Sequence, residues 1–235
     1  TAGRAGAREY LFAKRVGNED MMRFAALDHS RDDGYLNPRT ENLFYRLQAA
    51  FTEKELRRVD LTKPIEKKDL FYESVGLLIA RDSRYFLGVK AGCNGDSHNH
   101  NDVGSVTVYR DGKPLLIDVG VETYSRKTFS EQRYEIWTMQ SHYHNVVNFG
   151  EIQQLPGKEY RAEVQEVTLE NGHVGITMEL SHAYPEGTVE SYVRQVEFEK
   201  ETSIVITDRL SEIPEGSCLT LMTLAEPVWD STVLT

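Results

Sequence analysis

The spacing of apolar residues changes near residue 65. Before it, they recur at helical intervals; after it, they alternate with polar ones. Ala5–Val16 reads as a first helix carrying Tyr10, Leu11 and Ala13, and Met21, Met22, Ala25 and Ala26 mark a second. After the turn-rich segment His29–Pro38, Thr40 is placed to cap a third helix whose apolar positions are Leu43, Phe44, Leu47, Ala50 and Phe51. Pro64 and the charged run Glu66–Asp69 then break the pattern. From Phe71 onward the period is two, with predicted strands over Ser74–Arg81, Tyr85–Lys90, Ser105–Arg110, Pro114–Val119, Glu163–Glu170, His173–Leu180, Val189–Glu199, Ser203–Leu210 and Cys218–Leu224. Asp111-Gly112 and Asn171-Gly172 lie between pairs of these and are hairpin signals. Strands joined by short turns without intervening helices predict a mainly β protein, an antiparallel β-sandwich preceded by a short α-helical segment.

Bulk composition narrows the class. The chain has 235 residues, 40% hydrophobic and 27% charged, and no stretch is apolar and long enough to span a membrane. A formal charge of -10 argues against nucleic acid as the partner. Cys93 and Cys218 lie outside any CxxC motif, so their sequence positions leave open whether they pair.

Chemistry is densest in Gly95–Gly104, which packs His98, His100, Asp96 and Asp102 between two glycines. On an extended segment His98 and His100 face the same way, raw material for a metal centre or an acid–base pair. A turn at Asp111-Gly112 sets Arg110 opposite Lys113 and, by count, Ser105 opposite Asp118, which brings Asp118 near the histidine segment. Asp118 lies in Leu-Leu-Ile-Asp-Val-Gly-Val, apolar enough to predict burial and therefore a partner for the carboxylate, with His100 the nearest candidate. A second pair, His142 and His144, shares a face on the same alternation argument and leads into an apolar strand. Each pair alone reads as surface hydrogen bonding; both pairs with Asp118 favour a site.

Taken in order, His98-Asn-His100-Asn-Asp102-Val-Gly104-Ser, the Asp111-Gly112 hairpin, Leu116-Ile-Asp118-Val-Gly120, Thr123-Tyr124 and His144-Asn145-Val146 resemble the heparinase II/III-like polysaccharide lyases. The resemblance is close over Phe71–Gly150. It implies a two-sheet super-sandwich over residues 66–235 that is truncated at its C-terminus, with residues 1–65 the last helices of an α/α toroid that lies mostly upstream of Thr1. It also implies zinc held by His100, Asp118 and His144, with His98 the sandwich's catalytic histidine. The family's catalytic tyrosine and its carboxylate-neutralising residue come from the toroid and match no position here. The implied reaction is β-elimination on a uronic-acid polysaccharide of the heparin or heparan sulfate type, in a periplasmic or secreted protein, with the present chain inactive alone.

Around that site, Asn99 and Asp102 are expected to shape the loop or support the ligands. Arg126 and Arg133 are placed to meet an acidic substrate and Tyr124 to stack on a sugar, with a solvated loop and core packing as the competing readings. Two other functions fit the same residues: an oligoalginate lyase of the same architecture, and a non-catalytic carbohydrate-binding sandwich with a structural metal. A metallo-β-lactamase reading of His98-x-His100-x-Asp102 fails at Val103, where another histidine belongs.

Overall fold

The computed structural model describes residues 6–31, 42–230 and 233–234. The chain divides into two compact units, 1–67 and 68–235. In the first, helices α1 (Ala7–Val16), α2 (Glu19–Arg31) and α3 (Leu43–Leu56) close on a core of small residues, Ala7, Ala25, Ala26 and Ala49, with Tyr10 and Leu56. Gly17, in the left-handed conformation, ends α1 and satisfies its last carbonyls. Tyr10 and Lys14 meet at the Glu55 carboxylate, Lys14 Nζ donating at 2.6 Å.

Two expectations for α3 are corrected. Thr40 lies outside the described residues, and the cap is Asn42, whose side chain accepts from the Tyr45 N–H at 3.1 Å. The buried face is Ala49, Thr52 and Leu56, while Leu43, Phe44, Leu47 and Phe51 are exposed. The small face is the one that admits close helix approach, so the larger residues turn outward.

The second unit is the sandwich. One sheet orders β1 (Leu70–Tyr72), β2 (Leu77–Arg81), β3 (Tyr85–Lys90), β5 (Val106–Arg110) and β6 (Lys113–Leu116), all antiparallel. The other orders β12 (Ser203–Leu210), β11 (Tyr192–Glu199), β10 (His173–Glu179) and β9 (Glu163–Leu169). Their inward residues form one core: Leu78, Leu87, Val89 and Val106 from the first sheet, Ile176, Met178, Tyr192, Val196 and Phe198 from the second. Two short ladders tie the connections down, β4 (Cys93–Asn94) with β8 (Gly157–Arg161), and β7 (Val147–Phe149) with β13 (Ser217–Leu219). Both cysteines are free.

The β5–β6 hairpin turns through Asp111 (φ 50°) and Gly112 (φ 75°), the two positive values a type I′ turn needs. Arg110 pairs with Lys113 as the turn predicts, but a bulge between Val108 and Tyr109 shifts the register so that Val108 faces Leu116. The expected pairing of Ser105 with Asp118 is thereby lost, and β6 ends before Asp118. No described helix is long and apolar enough to cross a membrane.

Candidate functional site

Three irregular segments bring the candidate ligands together. The first is the loop from β4 to β5, which carries His98 and His100 and closes at Gly104 (φ 91°). A side chain at Gly104 would meet Leu180 Cδ1 at 2.6 Å, so glycine is needed both for backbone conformation and for space. The second is the chain just beyond β6, with Asp118. The third is a run of 3₁₀ turns, Lys127–Phe129, Glu131–Glu135, Trp137–Met139 and Ser141–Tyr143, that delivers His144 to the start of β7.

One ligand atom each from His100, Asp118 and His144 lie within 4.8 Å of one another. The His100 and His144 rings sit 5.2 Å apart between centroids. Two imidazole nitrogens and a carboxylate oxygen, gathered from three separate segments, are a donor set suited to zinc and to neighbouring transition metals.

His144 supplies the sharpest test of fit. Its ring is wholly buried, and Nε2 lies 3.1 Å from the Thr138 carbonyl, which can only accept. In the neutral ring Nε2 therefore carries the hydrogen and the Nδ1 lone pair is left toward the cluster. Nδ1 is buried without a hydrogen-bond partner, 3.4 Å from Asp118 Oδ2. An orphaned acceptor aimed at a histidine and a carboxylate fits a bound cation.

The electrostatics agree. Burial holds the His100 imidazole below the ordinary histidine value and so neutral at neutral pH. Partial desolvation alone would raise Asp118, but its contact with His144 and the Gly120 N–H bring the carboxyl below its usual range. Burial also pushes His144 down, and Asp118, Asp102 and the Thr138 carbonyl outweigh it to give a net rise. Because a ligating imidazole must be neutral, metal binding at His144 competes with protons.

Two expectations are corrected. Asp118 is not buried: its side chain is 41% exposed, because β6 stops short of it at the sheet edge. The alternation argument also fails for both histidine pairs. His98 adopts φ 60°, which breaks the extended run, and it is exposed while His100 is buried. His142 lies in a 3₁₀ turn and turns to the Gly150 carbonyl at 2.9 Å, away from the environment of His144.

His98 instead stacks with Tyr124, ring centroids 6.1 Å apart and planes 11° off parallel, with the phenol oxygen 3.5 Å from Nδ1. Phe129 packs edge-on against Tyr124 and is itself exposed. Asn99 holds the loop from inside, donating to the Asn94 carbonyl at 2.6 Å and accepting from the Tyr134 hydroxyl at 2.8 Å. Asp102 pairs with Lys90, whose ammonium also reaches the His100 carbonyl at 3.2 Å. Arg133 donates to the Asn99 carbonyl at 2.9 Å and the Thr128 carbonyl at 3.0 Å, so its guanidinium braces the loop. Arg126 is exposed.

Lys90, Gln154 and Arg194 also hold the loop of His98 and His100, and the sequence does not mark them. Each acts on backbone carbonyls or on buried partners distant in sequence, and no local motif encodes that.

The sequence model of the family described as Heparinase II/III-like, C-terminal, matches residues 65–227. No curated protein sequence matches the chain. Among solved structures, heparan sulfate lyase HepC from Pedobacter heparinus superposes with a TM-score of 0.55 at 16% identity, covering 94% of this chain and 41% of that one. A heparinase III gene product, BT4657, gives 0.53 at 20%, covering 82% and 28%. A structure titled heparinase III gives 0.54 at 16%, covering 91% and 32%. At these identities the likeness is one of fold, and the chain spans well under half the length of each.

Proposed function

Because the chain belongs to the heparinase II/III-like family through its C-terminal domain, we propose that it is the β-sandwich part of a polysaccharide lyase acting on a uronic-acid polymer of the heparin or heparan sulfate type. The reading rests on one observation above others: a His100–Asp118–His144 cluster that fits a metal, on a loop that also carries an exposed histidine, His98, two residues before His100. The solved structures that share this chain's fold include a heparan sulfate lyase and a heparinase III, names that agree with the substrate class.

β-Elimination removes the weakly acidic C5 proton of a uronate, forms the C4–C5 double bond and expels the C4 oxygen, which needs a proton. His98 is the group this chain contributes to that transfer. It is exposed, and Tyr124 orients its ring by stacking. Asn99, Tyr134 and Arg133 fix the backbone on which His98 stands. His100, Asp118 and His144 would hold zinc, which supplies a rigid anchor for the loop; elimination requires no activated water. The carboxylate-neutralising group and the catalytic tyrosine are assigned to an upstream toroid, so the 235-residue chain alone is inactive, and the whole protein is periplasmic or secreted.

The test is to assay a longer protein that includes the upstream region on heparan sulfate, heparin and alginate oligomers, following the ultraviolet absorbance of the unsaturated product. Product from the glycosaminoglycans is expected. Product from alginate alone would reassign the substrate, and silence on every polymer would overturn the lyase reading. Full activity from the isolated chain would overturn the division of labour.

A further inference from the structure

One buried side chain bonds to the backbone of two of the three candidate-ligand segments and, through Asn145, to the third. Arg194, on β11, is 1% exposed. Its Nε and Nη2 donate to the two oxygens of Asp208 on β12, each at 2.7 Å. That bidentate pair fixes the plane of the guanidinium. The remaining nitrogen, Nη1, donates to the Gly104 carbonyl at 2.8 Å and to the Asn145 carbonyl at 2.6 Å. Gly104 closes the loop that carries His100, and Asn145 directly follows His144.

Asn145 extends the same bracket to the third ligand. Its side-chain amide donates to the Val106 carbonyl at 2.8 Å and to the Ile117 carbonyl at 3.0 Å, and its Oδ1 accepts from the Met222 N–H at 2.6 Å. Ile117 immediately precedes Asp118, and Val106 begins the strand that leaves the His100 loop. The backbones beside His100, Asp118 and His144 therefore all hang from two buried side chains, one charged and held by Asp208.

From this we infer that Arg194 is a positioning residue that sets the spacing of His100, Asp118 and His144 without touching any of them. The inference rests on the metal reading of the cluster. The charge of Arg194 is part of the device. A guanidinium offers five donors in a rigid fork, enough to be fixed by a carboxylate while spanning two carbonyls. A lysine at the same place has a single point charge and cannot keep Asp208, Gly104 and Asn145 together. Supporting residues of this kind change metal affinity by about 10–100-fold when removed.

The test uses the chain stripped of metal and titrated with Zn(II) against a chromophoric chelator, and with Co(II) for its visible ligand-field spectrum. Four variants are compared with the parent: Arg194→Lys, Arg194→Met combined with Asp208→Leu, His100→Ala, and the core truncation Leu78→Ala on β2. The double variant replaces the buried pair with apolar groups, so it leaves no unpaired charge and keeps the test open if the lysine variant folds poorly. Both Arg194 variants are expected to bind Zn(II) about 10–100-fold more weakly with an altered Co(II) spectrum. Leu78→Ala is expected to lower the melting temperature while leaving affinity and spectrum unchanged. Arg194 variants that match the parent in both readouts would overturn the inference. A parent chain that binds no metal, or a His100→Ala variant that binds it as the parent does, would instead sink the metal reading beneath it.

Discussion

Gln154 offers a quantitative test of how the His98–His100 loop is held. The residue is 1% exposed, and its side chain completes four hydrogen bonds. Its Oε1 accepts from Asn94 Nδ2 at 3.0 Å and from the Val103 N–H at 2.9 Å; its Nε2 donates to the Val103 carbonyl at 2.8 Å and to the Tyr184 hydroxyl at 3.3 Å. Val103 belongs to the loop, three residues after His100, and is itself fully buried. Gln154→Ala strands both backbone groups of Val103 away from water. Each unsatisfied buried group costs about 1–3 kcal/mol. Two of them, plus part of the cavity left by the side chain, predict a loss of about 3–6 kcal/mol. That is a large fraction of the ~5–15 kcal/mol that holds a typical domain together. Both tryptophans, Trp137 and Trp229, lie in the sandwich unit's sequence, so urea unfolding followed by tryptophan fluorescence reads that unit. Amide exchange at Val103 should accelerate alongside the lower midpoint. A loss below about 1 kcal/mol, with Val103 exchange unchanged, would refute the claim that Gln154 pins the loop.

Three further outcomes are expected. Asp118→Ala should abolish metal binding and remove the metal-dependent rise in melting temperature while leaving the metal-free protein folded, since its side chain is substantially exposed; this is read by metal content and by melting with and without chelator. Glu179 accepts from the Tyr192 N–H, the Ser181 N–H and the Ser191 hydroxyl, and these donors outweigh burial to hold its carboxyl below the ordinary value. Its contribution is therefore complete above the unfolded pKa of about 4.3 and is lost as pH falls through the lower folded value. Glu179→Gln should be less stable than the parent at neutral pH, with the gap narrowing in acid; a gap independent of pH would contradict this. Gly104→Ala, which forces a side chain onto Leu180 at a backbone φ of 91°, should cost about 1–3 kcal/mol in urea unfolding.

What the residues disclose in advance follows how local their physics is. Asp111-Gly112 announces its hairpin because two adjacent positive φ values are a local requirement. The sandwich strands announce themselves through alternation, and β3 and β12 begin and end where the pattern places them. His100, Asp118 and His144 stand out as candidate ligands through the ordered motifs, but neither alternation nor burial groups them. Alternation for His98 and His100 presumes extended backbone, and the left-handed turn at His98 cancels it. Burial of Asp118 presumes that the apolar run is a central strand, whereas the ladder ends at Leu116 on the strand at the sheet edge. The face of α3 is misjudged because small residues win the interior when helices approach closely. Arg194, Asn145 and Gln154 act on carbonyls brought together only by the tertiary fold, and nothing in their immediate sequence marks them.

The most direct measurement is the rate of unsaturated product formation from heparan sulfate by the longer protein carrying His98→Ala, beside the parent and with metal content determined for both. The account predicts that product formation collapses while metal content stays at the parent level, because His98 transfers protons and His100, Asp118 and His144 hold the ion. Undiminished product from the His98→Ala protein, or a loss of activity that metal loss accounts for entirely, would contradict it.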